Sequence, residues 1–278
     1  MAGRHLIVVS AENNAYMGWQ SKLLNFSCMS RVGERPVFVV HDSGGPLHSD
    51  FGDISAKGGV VRAAPNYKVT RQGDVYPPRN TPATLLHAAE EGAGEAEYFV
   101  LCDPDMIFVR RPSFPEALAG VFYSYMNFDQ SFVEVARRAA GVNEDALEAQ
   151  KEQLRCGGPY VIPAACAREL AEAWLDAVDA FPPRTWEDVM YAFGLAAVKL
   201  GMQVSLTHMA KTNYWPDAAP DGDVIHYCYG DDVWNKRHYF TEEQSALVWE
   251  TQVSVPRATV LGEILAQISE AGEFYRNS

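Results

Sequence analysis

Two carboxylates, Asp103 and Asp105, bracket a proline directly after the apolar run Tyr98 to Cys102. An isolated charge in a core is costly. Acids at the end of a buried strand therefore read either as a solvated turn or as oxygens turned toward a shared cation. Magnesium and manganese take oxygen ligands, commonly one or two carboxylates plus substrate phosphates. Such an ion would let a chain of net charge −13 hold an anionic diphosphate. His226 lies in the segment Val224 to Asp232, dense in aromatics and closed by Gly230-Asp231-Asp232. An imidazole can complete a shell of carboxylates; equally it can be a hydrogen-bonded residue of an apolar strand. Trp186-Glu187-Asp188 opens a helix-like run, where acids favour the helix dipole or serve as a base or orienting group against an acceptor hydroxyl. Arg79-Asn80-Thr81-Pro82 joins a loop to a helix start, which suits a phosphate or a sugar hydroxyl. Lys211 and Lys236-Arg237 are further cations for a departing charge. Tyr214, Trp215, Tyr227, Tyr229 and Trp234 suit a sugar or base pocket, or a core.

These residues need a frame. Leu6 to Ser10 is a short apolar run ending in the polar loop Ala11 to Asn14, as for a strand buried on both faces. Tyr16, Trp19, Leu23, Phe26 and Ser30 recur at helical spacing and predict a helix over 15–31. Strands are expected over 36–41, 58–64 and 98–102, with Met106 to Val109 as a further buried segment. Asp42 to Pro46 is turn chemistry. Thr81 as N-cap and Pro82 in the first turn predict a helix to about Glu91. Alternation of strand and helix predicts an α/β fold, a mostly parallel sheet with helices on both faces. Ligands in such sheets gather outside the carboxyl ends of the strands, which puts Ser10 to Asn14, His41-Asp42 and Asp103 to Asp105 on one edge.

Further along, 131–154 reads as helical with a break near Gly141, and Cys156 to Pro159 as a turn before a strand over 160–163. Helices are expected over 167–181, ended by Pro182-Pro183, and over 186–200. Strands are expected over 203–207 and 224–229, a loop over 213–222, and a C-terminal amphipathic helix from Val260. With no repeat or linker, one domain over 1–278 is expected, its first 110 residues binding a nucleotide and the rest serving an acceptor.

Composition narrows the functions. Of the 278 residues, 47% are hydrophobic and 21% charged, a globular balance. The acidic excess argues against a nucleic-acid coat, which needs a basic footprint, and leaves a local basic groove open. No apolar run approaches the ~20 residues of a membrane span. Leu6 to Ser10 is too short for a signal-peptide core, so a cytoplasmic protein is expected. Five cysteines without a CxxC pair argue against a thiolate zinc site and a disulfide framework; buried, reduced thiols are expected.

Four segments together carry a family resemblance. Tyr98 to Phe108, with its Asp103-Pro104-Asp105, resembles the metal-binding strand of GT-A glycosyltransferases. Tyr16 with Trp19-Gln20, Arg79 to Pro82, and Ile225-His226-Tyr227-Cys228-Tyr229-Gly230 resemble, in order, segments of the hydroxyproline O-arabinosyltransferase and peptidyl-serine α-galactosyltransferase group. The resemblance implies a Rossmann-like GT-A fold and a retaining transfer of a hexose or pentose from a nucleotide sugar, UDP-linked by expectation. It implies Asp105 and His226 as ligands of a divalent ion, manganese or magnesium, and Asp103 on the metal or the ribose. Ser10, Ala11, Asn14, Arg79, Asn80 and Lys236 are expected around the nucleotide and its diphosphate, and Glu187 or Asp188 on the acceptor side. The plant enzymes are membrane proteins of the secretory pathway and this chain shows no anchor, so its acceptor is open: a small molecule, a protein, or a hydroxylated base in DNA taken one at a time. The alternatives are a metal-dependent phosphohydrolase or nucleotidyltransferase on the same carboxylates, and an inactive carbohydrate-binding module. Oligomeric state is left open.

Overall fold

The computed structural model describes residues 4–276 apart from 93, 95, 182–184, 211 and 214–217. Among these, the strands are β1 (His5–Glu12), β2 (Val37–Asp42), β3 (Val60–Pro65), β4 (Tyr98–Cys102), β5 (Met106–Phe108), β6 (Ala119–Phe122), β7 (Cys156–Pro163), β8 (Ser205–Thr207), β9 (Thr212–Asn213) and β10 (Val224–His226). The α-helices are α1 (Ala15–Ser27), α2 (Ser49–Ala56), α3 (Asn80–Glu91), α4 (Ser131–Ala139), α5 (Glu144–Glu148), α6 (Ala167–Asp179), α7 (Asp188–Lys199), α8 (Glu242–Ala246) and α9 (Val260–Arg276). Seven strands form a mostly parallel sheet in the order β3-β2-β1-β4-β7-β6-β8, flanked by helices, and β5-β10-β9 form a second, small sheet. The α/β expectation holds. No helix among the described residues is long and apolar enough to cross a membrane.

The contacts divide the chain into two compact units that interleave along the sequence. Met1–Val8, Ala64–Cys102 and Phe114–Thr207 make the first; Val9–Ala63, Asp103–Ser113 and His208–Ser278 make the second.

In the first unit β7 runs antiparallel to both neighbours, pairing Phe99 with Ile162 and Val121 with Gly157. β7 also corrects an expectation. Cys156 to Pro159 is not a turn but the first half of the strand, running through a cis Gly158–Pro159 bond. Its glycine serves packing: a Cβ on Gly157 would lie 2.4 Å from the Met190 methyl and 2.8 Å from the Tyr123 ring. Helices α6 and α7 pack together, with the Trp174 indole donating to the Val189 carbonyl at 2.7 Å and its ring against Tyr160 and Phe193.

The second unit is built on α1. Asn14 caps it by accepting from the Met17 amide at 2.8 Å. The helix stops at Ser27, short of the expected Arg31, and continues as one π-helical turn ended by Gly33 at φ 78°. Trp19, Leu23 and Phe26 form the apolar face that periodicity predicts, and pack with Ile107, Ile225, Tyr227, Trp234, Ile264 and Ile268. Each large side chain so buried stabilises the unit by roughly 1.5–3 kcal/mol. β5 is anchored at Phe108: its amide donates to the Ser27 hydroxyl at 3.1 Å and its carbonyl accepts from Gln267 of α9 at 3.0 Å.

Candidate metal centre

The small sheet sets the geometry. β10 pairs antiparallel with β5 so that His226 lies opposite Met106 and Ile225 opposite Ile107. One step further, the Tyr227 amide donates to the Asp105 carbonyl at 3.0 Å. This register brings an imidazole to a carboxylate across a separation of 121 residues. His226 Nε2 lies 3.1 Å from Asp105 Oδ1 and 3.9 Å from Asp103 Oδ2. The other oxygen of Asp105 takes the Lys236 ammonium. Lys236 arrives there because Asp231 closes a turn, its carboxylate accepting from the Val233 and Trp234 amides at 2.9 and 3.1 Å. Asn235 then caps the short 3-10 helix that begins at Lys236.

The charges are coupled. Burial opposes ionisation of Asp105, but Lys236 and His226 outweigh it and hold the carboxyl well below the usual carboxylate range. Burial raises the Asp103 carboxyl; the His226 charge opposes that and the Asp105 charge adds to it. Burial by itself would lower Lys236, and the Asp105 carboxylate reverses this and raises it. The side chains of Asp105, His226 and Lys236 are only 13%, 15% and 10% exposed, while Asp103 is 39% exposed.

The sequence reading missed one member. A ligand atom each from Asp105, His226 and Cys228 falls within 4.8 Å of the others. Cys228 is half-buried, as is Cys166, whereas Cys28, Cys102 and Cys156 are buried as expected. The signal was available: residues two apart on extended backbone face the same way, so Cys228 follows from His226. A divalent ion fits this donor set. Carboxylate oxygens suit magnesium and manganese, the imidazole suits transition ions, and the thiol adds one soft donor.

Of the residues expected at the nucleotide, the second unit holds Ser10, Ala11, Asn14, Asp103 and Lys236 as well as the metal-side Asp105 and His226. Ser10 and Ala11 are buried at the end of β1. Beyond them Asn13 organises the loop, its amide donating to Asp42 Oδ1 at 2.9 Å and to the Pro46 carbonyl at 3.0 Å. Hydrogen bonds from Asn13 and from the Gly45 and Gly44 amides hold the Asp42 carboxyl down at about 2. Asn13 lies in the span Ser10 to Asn14 that the sequence puts on this edge, and an Asn at a strand end next to turn chemistry suits such a role.

The first unit holds Arg79, Asn80, Glu187 and Asp188. The helix predicted to start at a Thr81 cap starts at Asn80, after the 3-10 turn Pro77–Arg79. Arg79 is buried and forks onto Asp179, with Nε and Nη2 donating at 2.9 and 3.0 Å while Nη1 donates to the Tyr67 carbonyl at 2.9 Å. Asn80 accepts from the Tyr67 amide at 2.8 Å. Asp188 begins α7, two residues later than the expected Trp186. Its buried carboxylate accepts from the Thr185 amide and hydroxyl, both at 2.7 Å. Glu187 lies just before the helix, half-buried; burial and then the Asp188 charge raise its carboxyl. Lys211, Tyr214, Trp215 and Pro182-Pro183 lie outside the described residues.

The whole chain has counterparts among solved structures. It is similar to an active-site mutant of LgtC, with a TM-score of 0.54 at 11% identity over 96% of this chain and 95% of that one. The fold is GT-A. It is similar also to the bifunctional glycosyltransferase WbbM (TM-score 0.52, 10% identity, 100% of this chain and 52% of that one). The galactosyltransferase LgtC in complex with donor and acceptor sugar analogues gives a TM-score of 0.50 at 13% identity, over 91% of this chain and 97% of that one. Likeness at this identity concerns the fold alone. No protein-family model matches the chain, and no curated protein matches its sequence.

Proposed function

We propose that the chain is a metal-dependent, retaining glycosyltransferase that moves a hexose or pentose from a nucleoside diphosphate sugar, UDP-linked, to an acceptor hydroxyl. The observation that carries this reading is the convergence of Asp105, His226 and Lys236 beside Asp103 in one unit of a GT-A fold. Asp103, Asp105 and His226 would hold manganese or magnesium, with Cys228 at the edge of the shell. When bound, the ion serves as a Lewis acid that neutralises charge on the diphosphate.

The chain's own residues supply the rest. Lys236 gives a fixed positive charge for the leaving diphosphate, and a fixed charge in a partly dry site needs little reorganisation when the bond breaks. Ser10, Ala11 and Asn14, at the β1–α1 junction, frame the nucleotide. Arg79 and Asn80, which the resemblance puts at the nucleotide, hold the Tyr67 backbone of the first unit. Glu187 orients the acceptor hydroxyl, and Asp188 fixes the turn that carries it. The resemblance of four segments to the hydroxyproline arabinosyltransferase and serine galactosyltransferase group supports retention of configuration.

The test is donor turnover without an acceptor. The protein is incubated with a panel of UDP-sugars and other nucleotide sugars, with manganese or with chelator, beside Asp105→Ala, and free nucleoside diphosphate is quantified. The expected result is slow release that needs both the metal and Asp105. Release of sugar phosphate or pyrophosphate would move the protein to the phosphohydrolase or nucleotidyltransferase class. No release and no metal-dependent donor binding by calorimetry would leave a carbohydrate-binding module.

A further inference from the structure

In the first unit two large rings stand in solvent next to the Glu187 turn. Trp186 is 54% exposed and Tyr125 45% exposed. Their ring centroids are 5.7 Å apart with planes tilted by 54°. Folding has left apolar area in water here, and has also fixed it. Tyr125 leans on the buried Tyr123 ring at 5.4 Å, and the Tyr123 hydroxyl donates to the Gly158 carbonyl at 2.9 Å. The Tyr125 hydroxyl reaches the Met190 sulfur at 3.9 Å. The turn bearing Trp186 is closed by the Thr185–Asp188 bonds, and the Tyr76 hydroxyl accepts from the Val189 amide at 2.9 Å just beyond it.

We propose that Tyr125 and Trp186 form a stacking platform for a sugar ring, with the Glu187 carboxyl taking its hydroxyls, and that the acceptor is therefore a saccharide. This rests on the transferase reading and narrows its acceptor. A pyranose offers one face of C–H groups and a rim of hydroxyls. Tilted aromatic faces take the first, and an adjacent carboxyl takes the second. Anchored rings lose little freedom when a ligand stacks on them. A protein partner fits poorly: two half-exposed side chains of roughly 150–250 Å² each fall short of the ~800 Å² that a specific partner covers. Nucleic acid fits poorly as well: Glu187, next to Trp186, is acidic, and Arg155, which donates to the Ser124 carbonyl, is a single cation where a phosphate backbone would need several.

The probes are methyl glycosides of glucose, galactose, mannose and arabinose, titrated onto the intact protein by saturation-transfer NMR and tryptophan fluorescence. The expected result is transfer to the C–H face of at least one glycoside. Trp186→Ala should weaken its affinity about tenfold or more, while Trp186→Phe keeps most of it, with both variants retaining the wild-type melting temperature. The proposal is overturned if no glycoside binds, if Trp186→Ala binds as the wild type does, or if a hydroxymethylated nucleoside or a serine or hydroxyproline peptide occupies the platform instead. Donor turnover by the wild type, measured separately, tests the transferase reading alone: glycoside binding without turnover would remove the activity and keep the platform.

Discussion

In the first unit Arg79 and Asp179 face each other through two parallel hydrogen bonds, and each largely satisfies the other. In the second, Asp105 receives both Lys236 and His226 while Asp103 stands beside them with 39% of its side chain in water. Both regions begin as the same kind of sequence signal, charged residues at the ends of elements. A fork of this kind, with Arg71 also 3.4 Å from Asp179 and Arg79 also donating to the Tyr67 carbonyl, closes its own hydrogen bonding and holds the chain. A crowd of two acids, an imidazole and an ammonium has no such closed arrangement, and its groups can exchange partners for a ligand.

The contrast is tested by asking which property each residue controls. Arg79→Ala should cost most in stability, about 3–5 kcal/mol, because it leaves the buried Asp179 with only the exposed Arg71 at 3.4 Å as its charged partner. The measurement is urea unfolding, and Arg79→Met with Asp179→Leu should recover much of the loss. Asp103→Asn should do the reverse, lowering metal-dependent donor turnover about a hundredfold while unfolding stays within about 0.5 kcal/mol of wild type. A large stability loss there would make the cluster structural too.

Gly230→Ala is a finer probe. A Cβ at that position would lie 2.2 Å from the Trp234 carbonyl oxygen and 2.3 Å from the Asn235 Cα. Backbone must move, at about 1–3 kcal/mol, and Lys236 moves with it. A several-fold rise in the donor KM is expected, with the Asp105–His226 pair intact by NMR. The smallest effect is at Asp42. Its folded pKa of about 2 lies below the unfolded value of about 3.9, so its contribution is present above about pH 4 and fades as pH falls through about 2. Asp42→Asn should flatten that part of the stability–pH curve, read as the urea midpoint between about pH 5 and about pH 2.5.

The strands β1, β2 and β4 and the helix α6 were legible because continuous apolar runs and 3.6-residue periodicity are local properties. β6 was not: a short segment including Gly120 carries no pattern, and the strand exists because β7 and β8 pair with it on either side. α2 was missed for the same want of length. The reversed direction of β7 follows from distant connections, and its glycines imitate a turn while serving close packing. At the site, Asp103, Asp105, His226 and Lys236 were visible by residue type. Cys228 reads from the sequence as an ordinary thiol, and Asn13 only as part of the loop Ala11 to Asn14. The aromatics Tyr227 and Trp234, offered as pocket or core, are core. Arg79 was read by charge alone, since its partner Asp179 lies 100 residues away and only folding discloses it.

The β5–β10 register has a consequence for how the protein is made. A ribosome that has threaded out the chain as far as Gly201 has produced both carboxylates but neither the imidazole nor the ammonium. Asp105 therefore gains its imidazole partner only when Val224–His226 pairs with Met106–Phe108. A slip of one residue in that zipper would turn His226 to the opposite side and present Tyr227 in its place. On the proposed reading, affinity for a divalent ion would therefore report whether β10 is seated in phase on β5.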